Sequence, residues 1–297
     1  MNILIAGGSG FIGTALANQL RQHNHEVFIL TRHTPRHSRE IRWDGKTAQG
    51  WGDRVNEMDA VVNLTGFGLE HWPWTRRQKE KFASSRVQPG QALVSAIQKA
   101  AHRPRVFLQI SGINRYGLRG EGFADESTPA ADDFLAQLTV KWEAATQPVE
   151  ELEVRRVVAR TAVILARKGG LFPLMALPVR LFFGGKLGAG SQAVPWIHLA
   201  DQVRAIEFLL ENEESRGPYN LIAPSPTSNE EFMHAIARRL HRPFWFHVPK
   251  FLLKLALGEM SVLLTEGRYS RPRRLLEEGF QFQFPTIEQA LENIYSK

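Results

Sequence analysis

The chain contains no cysteine in its 297 residues. This absence excludes a disulfide framework and any metal or redox site built on thiolates, and it is consistent with a reducing compartment. The first residues, Met1 to Ala6, lack both the basic region and the long apolar core of a secretion signal, so they are typical of a first β-strand. We therefore expect a cytoplasmic protein.

Long apolar runs are also scarce. The longest one near the C-terminus, from Phe251 to Leu264, is interrupted by Lys254, Gly258 and Glu259. It is shorter than the ~20 apolar residues that a membrane-spanning helix needs. We expect no membrane partner, and we interpret this run as a pair of buried helical turns.

Motifs for metal ions and nucleic acids are missing as well. The sequence has histidines such as His33 and His37, but it has no H-E-x-x-H motif and no carboxylate cluster with ligand spacing, so we expect no metal site. The net charge of +7 comes from scattered basic residues. Such residues are usually solvated or bind small anions, and we expect no nucleic-acid partner.

The sequence does contain the alternation of strands and helices that builds a parallel sheet. With 43% hydrophobic and 23% charged residues it has the composition of a globular protein. The alternation predicts an α/β fold, a Rossmann-type doubly wound parallel sheet followed by a small, mostly helical C-terminal lobe. Strands are predicted at 1–6, 26–31, 41–43, 59–64, 106–111, 154–165 and 219–222. Helices are predicted after Gly13, at 74–99 with a bend or restart at Pro89-Gly90, at 133–145, at 198–210 and over most of the tail from Asn229, with a flexible loop at 184–190.

A glycine-rich turn follows the first predicted strand. Gly7, Gly10 and Gly13 form a G-x-x-G-x-x-G pattern that opens a helix. Glycines let a phosphate approach the backbone, and a helix N-terminus supplies free N–H donors and a favourable dipole. Their position between a strand and a helix predicts a dinucleotide site. The alternative is a tight turn without a ligand.

The end of the second predicted strand indicates which dinucleotide binds. An acidic residue there would bind the ribose hydroxyls of NAD, whereas an arginine accommodates the 2′-phosphate of NADP. The sequence has Thr31, Arg32 and His33 at this point and no acid. Arg32 therefore favours NADP(H), through a charge-assisted contact. The alternative is that Arg32 is a solvated loop residue.

Motifs spread over nearly the whole chain resemble the short-chain dehydrogenase/reductase superfamily, specifically its atypical epimerase-family branch, which has a small C-terminal domain of its own. The matching motifs are Gly7–Gly13 (GGSGFIG), Asn63–Gly66 (NLTG), Trp74-Thr75 with Ser85-Arg86, Tyr116-Gly117, Asp133–Leu135, Trp142-Glu143, Gly169-Gly170, Gly184–Gln192, Trp196–His198 with Asp201, Asn220-Leu221 with Pro224, and Gly258–Met260.

The resemblance implies an extended Rossmann domain with NADP(H) lying across the strand ends. We expect this domain at 1–168, with core strands returning at about 193–223, and an intertwined substrate-side and C-terminal lobe at 169–297. By analogy with the superfamily, we also expect a homodimer. The predicted cofactor-binding residues are Gly7, Ser9, Gly10, Phe11, Ile12, Gly13, Thr31, Arg32, Asn63, Leu64, Thr65 and Gly66.

The resemblance also exposes a departure in the catalytic apparatus. The superfamily usually relies on a tyrosine, a lysine four residues later and a nearby hydroxyl. When Glu143 is aligned with the acid that follows this pair, the two positions hold Leu135 and Thr139. Ser111 and Tyr116 remain as catalytic candidates, each with ordinary packing as the alternative.

Further candidates complete the predicted site. Glu126 is a candidate acid or base, or else a solvated residue before the next helix. Arg115 replaces the first tyrosine of a Tyr-Tyr-Gly run and would favour an anionic substrate. Trp196 and His198 have core packing as their alternative. The predicted pocket residues are Trp74, Arg86, Arg115, Gln192, Trp196 and His198.

Two hypotheses for the function follow from these residues. The first is an NADP(H)-dependent oxidoreductase or epimerase-like enzyme acting on a small polar substrate. The second is a non-catalytic NADP(H)-binding or sensing protein.

Overall fold

Short apolar runs form strands, and apolar residues at helical spacing form helices, close to the predicted positions. The computed structural model describes residues 1–296. The strands are β1 (Asn2–Ala6), β2 (Glu26–Thr31), β3 (Glu40–Arg42), β4 (Ala60–Asn63), β5 (Val106–Gly112), β6 (Arg155–Thr161), β7 (Val163–Leu165), β8 (Gly185–Leu187), β9 (Trp196–His198), β10 (Gly217–Leu221) and β11 (Phe246–Val248).

Helices flank the strands and make up most of the C-terminal lobe. They are α1 (Phe11–Gln22), α2 (Arg76–Lys99), α3 (Phe134–Ala144), α4 (Phe172–Arg180), α5 (Leu199–Glu211), α6 (Asn229–Arg239), α7 (Lys250–Leu257), α8 (Val262–Thr265), α9 (Arg273–Glu277) and α10 (Ile287–Ile294).

Seven of the strands form one parallel sheet in the order β10-β6-β5-β4-β1-β2-β3. The chain runs outward from β1 through β2 to β3 and then returns to β4 on the other side of β1. Ala6 and Asn63 are register partners at the carboxyl ends of β1 and β4. Ligands of doubly wound sheets bind at such a switch point, and the predicted Rossmann-type fold is confirmed.

The core lies on both faces of this sheet because residues of a strand alternate between its faces. Ile3 and Ile5 pack into a cluster that includes Leu16 of α1 and Ile206 of α5. Leu4 and Ala6 pack into the opposite cluster, which includes residues of α2. Each fully buried aliphatic side chain of this kind contributes about 1.5–3 kcal/mol.

The C-terminal lobe has its own apolar cluster. Phe172 of α4, Phe232 of α6 and Leu291 of α10 are all buried in it. A small parallel pairing of β7 with β9 connects residues before 169 to the later part of the chain, and a second one, β8 with β11, lies within the lobe. The mostly helical character predicted for the tail is confirmed.

Several predicted elements need correction. The run 154–165 is two strands, because β6 pairs with β5 and β10 whereas β7 turns away to pair with β9. The stretch 184–190, predicted as a flexible loop, contains strand β8, which pairs with β11. A Cβ at Gly185 would lie 1.9 Å from the Phe246 carbonyl oxygen, so the pairing requires glycine at this position. Helix α2 continues through Pro89 without a restart.

The predicted burial of the run 251–264 is also wrong for its first part. Helix α7 has no buried residue, and the side chains of Phe251 and Leu255 are 67% and 83% exposed. Residues 1–296 include no helix that combines the length and the apolar character needed to cross a bilayer.

Candidate functional site

The glycine turn between β1 and α1 has the shape of an anion-binding site. Gly7 has a positive φ of 81°, and its carbonyl oxygen accepts a hydrogen bond from the Gly10 N–H at 3.0 Å. A Cβ at Gly13 would lie 2.3 Å from that same carbonyl oxygen, so only glycine lets α1 start this close to the turn. Within residues 1–296 no side chain caps α1 at its N-terminus. Its first N–H groups therefore suit a pyrophosphate.

The segment after β4 lies beside this turn. Asn63 is fully buried, and its Oδ1 accepts hydrogen bonds from the Thr65 N–H at 3.1 Å and the Thr65 hydroxyl at 2.6 Å. Its amide nitrogen donates to Gln109 Oε1 at 2.9 Å. A Cβ at Gly7 would lie 3.1 Å from the Leu64 carbonyl oxygen. The segment Asn63–Gly66 therefore lies against the glycine turn, and its role in cofactor binding stays a prediction.

The end of β2 carries a buried threonine and an exposed arginine. The Thr31 hydroxyl oxygen accepts a hydrogen bond from the His33 N–H at 3.2 Å. Arg32 is exposed, and no carboxylate or carbonyl within residues 1–296 pairs with its guanidinium. Because no acid stands beside it, this cation is free to meet an anionic ligand group.

A cavity of about 340 Å³ opens at the carboxyl edge of the sheet, between the sheet and the C-terminal lobe. Phe11 and Ile12 from the glycine turn line one end. The remaining wall is mostly apolar, since α3 contributes Leu138 and Trp142 and the segment 263–264 contributes two leucines. Polar groups in the wall are few and include Ser111, Asn114, Arg86, Glu70, Glu266 and Arg268.

Helix α3 presents Leu135 and Thr139 to this cavity. The motif alignment on Glu143 predicts these two positions for the tyrosine and lysine of the superfamily. The Thr139 hydroxyl donates back to the carbonyl oxygens of Leu135 and Ala136, at 3.1 and 2.7 Å. Neither position supplies an acid or base toward the cavity.

Ser111 stands at the end of β5 and contacts a buried ionic network. Its hydroxyl donates to Glu143 Oε1 at 2.8 Å. Arg160 holds both oxygens of that carboxylate, at 2.8 and 2.9 Å, and Arg115 lies 3.4 Å from Glu143 Oε2. Burial alone would raise the pKa of Glu143, but hydrogen bonds and charge from Arg160 lower it. Glu143 is therefore an anion that accepts the Ser111 proton as a hydrogen bond.

Two other catalytic candidates lie outside the cavity lining. The Tyr116 hydroxyl donates to Asn220 Oδ1 at 2.6 Å and accepts from Arg160 at 2.8 Å, and burial raises the pKa of Tyr116 to about 12. Glu126 accepts a hydrogen bond from the Asn220 N–H at 2.9 Å, and burial raises its pKa. Both side chains connect the loop after β5 to β10 rather than pointing to the cavity.

Trp74 and Arg86 support the loop that lines the cavity at Gly68–Glu70. The Trp74 indole donates to the Leu69 carbonyl oxygen at 2.9 Å. Arg86 lines the cavity itself, donates to the Phe67 carbonyl oxygen at 2.8 Å and lies 4.7 Å from the centre of the Trp142 ring. Burial lowers the pKa of Arg86 to about 10, which leaves it charged at neutral pH.

The other predicted pocket residues hold the lobe together. Gln192 donates to the carbonyl oxygens of Leu187 and Leu264, at 2.7 and 2.9 Å. The buried Trp196 indole donates to the Thr227 hydroxyl oxygen at 3.0 Å. His198 caps α5, because its Nδ1 accepts from the Ala200 N–H at 3.1 Å, and burial lowers its pKa. These three side chains are absent from the cavity wall within residues 1–296.

Sequence reasoning missed the cavity residues Glu70, Asn114, Glu266 and Arg268, for which no local motif gave a signal. It also missed Arg160 of the network behind Ser111, and it recognised Glu143 only as part of a motif. A signal for Arg160 was present, since it is one of three arginines in an apolar strand otherwise buried on both faces. A buried charge in such a strand requires a partner. The pattern did not identify that partner, because Glu143 lies on a different element.

The sheet, its switch point and the uncapped glycine turn define a dinucleotide-binding protein of the Rossmann class. Residues 3–139 match the model of the NAD dependent epimerase/dehydratase family, and residues 248–294 match a domain of unknown function (DUF1731). The chain belongs to the NAD dependent epimerase/dehydratase family, which confirms the resemblance found in its motifs.

Similar proteins align over almost the whole chain. Epimerase family protein YfhF of Bacillus subtilis (strain 168) is 35% identical, with 99% of this chain and 98% of that protein covered. Epimerase family protein ML0860 of Mycobacterium leprae (strain TN) is 36% identical, with 97% and 94% covered. The crystal structure of human epimerase family protein SDR39U1 (isoform 2) with NADPH has a TM-score of 0.91 and 34% identity, and 99% of each chain is covered.

Proposed function

We propose that this chain is an NADP(H)-dependent oxidoreductase or epimerase-like enzyme acting on a small molecule. The observation that carries the proposal is the glycine turn, in which Gly13 has room for no side chain against the Gly7 carbonyl oxygen. The similar human protein, at 34% identity, was crystallised with NADPH. The free Arg32 guanidinium supports the same cofactor.

Different residues bind different parts of the cofactor. The first N–H groups of α1 bind the pyrophosphate, and Arg32 binds the 2′-phosphate through charge-assisted hydrogen bonds. Phe11 and Ile12 line the cavity between this turn and the substrate end. When bound, the nicotinamide supplies hydride transfer.

Ser111 orients the substrate at the other end of the cavity. Because its proton is donated to Glu143, the lone pairs of its oxygen remain available to a substrate hydroxyl. The apolar side chains of Leu135, Leu138 and Trp142 face the same space. A substrate with one polar, oxygen-bearing group and an apolar remainder fits this wall.

The test is turnover by a Ser111→Ala variant. NADPH formation from NADP⁺ is followed with a panel of secondary alcohols, whose hydroxyl can donate to the Ser111 oxygen, after NADPH affinity has been measured by fluorescence. We expect kcat to fall about 100-fold, the typical effect of losing one positioned polar group, with unchanged NADPH affinity. Ser215→Ala is the matched control, because Ser215 is also buried and donates to a carboxylate, Glu278, at 2.8 Å, but lies outside the cavity wall.

A second candidate function is non-catalytic NADP(H) binding or sensing. The observation that favours it is the pair Leu135 and Thr139, which face the cavity where the superfamily has its tyrosine and lysine. Tight NADPH binding without turnover on any member of the panel would support this candidate and contradict the first. Absence of affinity for either nicotinamide dinucleotide at low salt would contradict both.

A further inference from the structure

Two histidines and two glutamates meet at the edge of the sheet opposite the cavity. We name His23, His25, Glu207 and Glu211 the His–Glu cluster. The histidines lie in the turn between α1 and β2, and the glutamates are one turn apart on α5. Since β2 begins at Glu26, the cluster lies at the amino end of that strand. It is therefore separate from the dinucleotide site.

Three donor atoms of the cluster, from His25, Glu207 and Glu211, lie close together. His25 Nε2 lies 3.3 Å from Glu211 Oε1 and 3.8 Å from Glu207 Oε1. All three atoms lie within 4.8 Å of one another. Ligands of a tetrahedral Zn²⁺ ion are about 3.4 Å apart, given metal–ligand distances of about 2.0–2.1 Å. The observed separations are close to that spacing.

His25 is the member whose burial points to a ligand. Its side chain is only 9% exposed, and Nε2 has no hydrogen-bond partner within residues 1–296. Nδ1 of the same ring lies 3.2 Å from the Met1 amine, so Nε2 is the nitrogen that faces the carboxylates. A buried, unpaired ring nitrogen costs free energy, and a metal ion would remove this cost.

The surrounding contacts hold the glutamates in position. Gln19 donates to Glu207 Oε2 at 2.6 Å, which leaves Oε1 directed toward the histidines. His23 Nδ1 lies 2.7 Å from Glu207 Oε1, which is a hydrogen-bond distance. His23 therefore holds this carboxylate in place and is not one of the three converging groups. Polar contacts of this kind orient the ligands of metal sites.

We propose that the His–Glu cluster binds a divalent transition-metal ion, with Zn²⁺ as the best match to one imidazole and two carboxylates. His25 Nε2, Glu207 Oε1 and Glu211 Oε1 are the three protein ligands, a water molecule completes the tetrahedral set, and His23 orients Glu207. The ion links the turn before β2 to α5. Its role is structural, since it joins two elements that already pack on each other.

The test is metal binding by the tag-free full chain after chelator treatment. We expect calorimetry to show one Zn²⁺ ion per chain, and added Zn²⁺ to raise Tm by about 5 °C at a hundredfold excess over Kd. Co²⁺ should give the visible absorption of a tetrahedral site. His25→Ala and Glu211→Gln should each weaken Zn²⁺ binding at least tenfold. Glu211 is more than half exposed, so its variant is expected to fold even if the His25 variant does not.

His37→Ala is the matched control, because His37 is half-exposed and lies 3.7 Å from a glutamate, Glu40, outside the cluster. It should bind Zn²⁺ like the unmodified chain. The proposal is overturned if the chain shows no saturable Zn²⁺ binding, or if the Glu211 variant binds Zn²⁺ as tightly as the unmodified protein.

Discussion

Arg32 is the residue that we propose selects between the two nicotinamide dinucleotides. It follows β2, is exposed and has no acidic neighbour at Thr31 or His33. Arg32→Ala should weaken NADPH binding about 10–100-fold, because hydrogen bonds to charged groups contribute about 1.5–3 kcal/mol. NADH affinity should change little. Fluorescence titration with both cofactors measures the difference.

Arg216→Ala is a suitable control for this prediction. Arg216 is also exposed, but it precedes β10 and so lies at the amino edge of the sheet, away from the glycine turn. Equal losses of NADPH and NADH affinity in Arg32→Ala would show that Arg32 does not contact the 2′-phosphate.

Glu143 determines the stability of the buried network around Ser111. Arg160 is itself buried, and removal of its partner leaves a charge without compensation. Glu143→Gln should therefore lower the free energy of unfolding at pH 7 by about 3–5 kcal/mol. The pKa of Glu143 is lower in the folded protein than in the unfolded chain. Ionised Glu143 therefore stabilises the fold at pH values above the ordinary carboxyl pKa, and this stabilisation is lost as the pH falls through the lowered pKa. The difference between variant and unmodified protein should thus shrink at acid pH.

Denaturant unfolding at several pH values measures this effect. Glu150→Gln is the matched control, because Glu150 pairs at 2.8 Å with another arginine of β6, Arg156, but is 47% exposed. Glu150→Gln should change the free energy of unfolding by no more than about 0.5 kcal/mol. A similar loss in both variants, or a difference that does not change with pH, would contradict the role assigned to Glu143.

Among the helices, α7 and α9 differ in how much their apolar side chains contribute to the stability of the fold. Leu255 of α7 is 83% exposed, whereas Leu275 of α9 is fully buried. Leu255→Ala should change the free energy of unfolding by less than about 0.5 kcal/mol, and Leu275→Ala should lower it by about 2–5 kcal/mol. Equilibrium denaturation of the two variants provides the comparison. A large loss in Leu255→Ala would show that α7 packs against something in solution.

Element positions were predictable wherever the pattern is local. The short apolar runs of β1, β2, β4 and β5 and the glycine turn are recognised from neighbouring residues. The boundary between β6 and β7 was not predictable, because both halves are apolar and only their pairing partners differ. The exposure of α7 was not predictable either, since a short apolar helix does not by itself indicate whether another element covers it.

For the whole molecule, cofactor binding and folding are linked. NADPH at 100 times its Kd should add about 2.7 kcal/mol to the free energy of unfolding. For a chain of this size the corresponding rise in Tm is about 5 °C. Thermal unfolding with NADPH and with NADH at the same concentration measures this rise, which should be larger for NADPH. Equal shifts for the two cofactors would contradict the selectivity assigned to Arg32.

The homodimer expected from the superfamily stays a prediction.

The sequence alone determined the fold class, the family and the position of the dinucleotide turn, because each depends on short segments whose spacing is fixed along the chain. The tertiary structure decided which predicted side chains reach the cavity. It places Ser111 and Arg86 there, and it places Tyr116, Glu126 and His198 in contacts that join separate elements. It alone revealed the His–Glu cluster, since His23 and Glu207 are 184 positions apart and no local pattern connects them. Contacts between residues so far apart exist only once packing has brought their elements together.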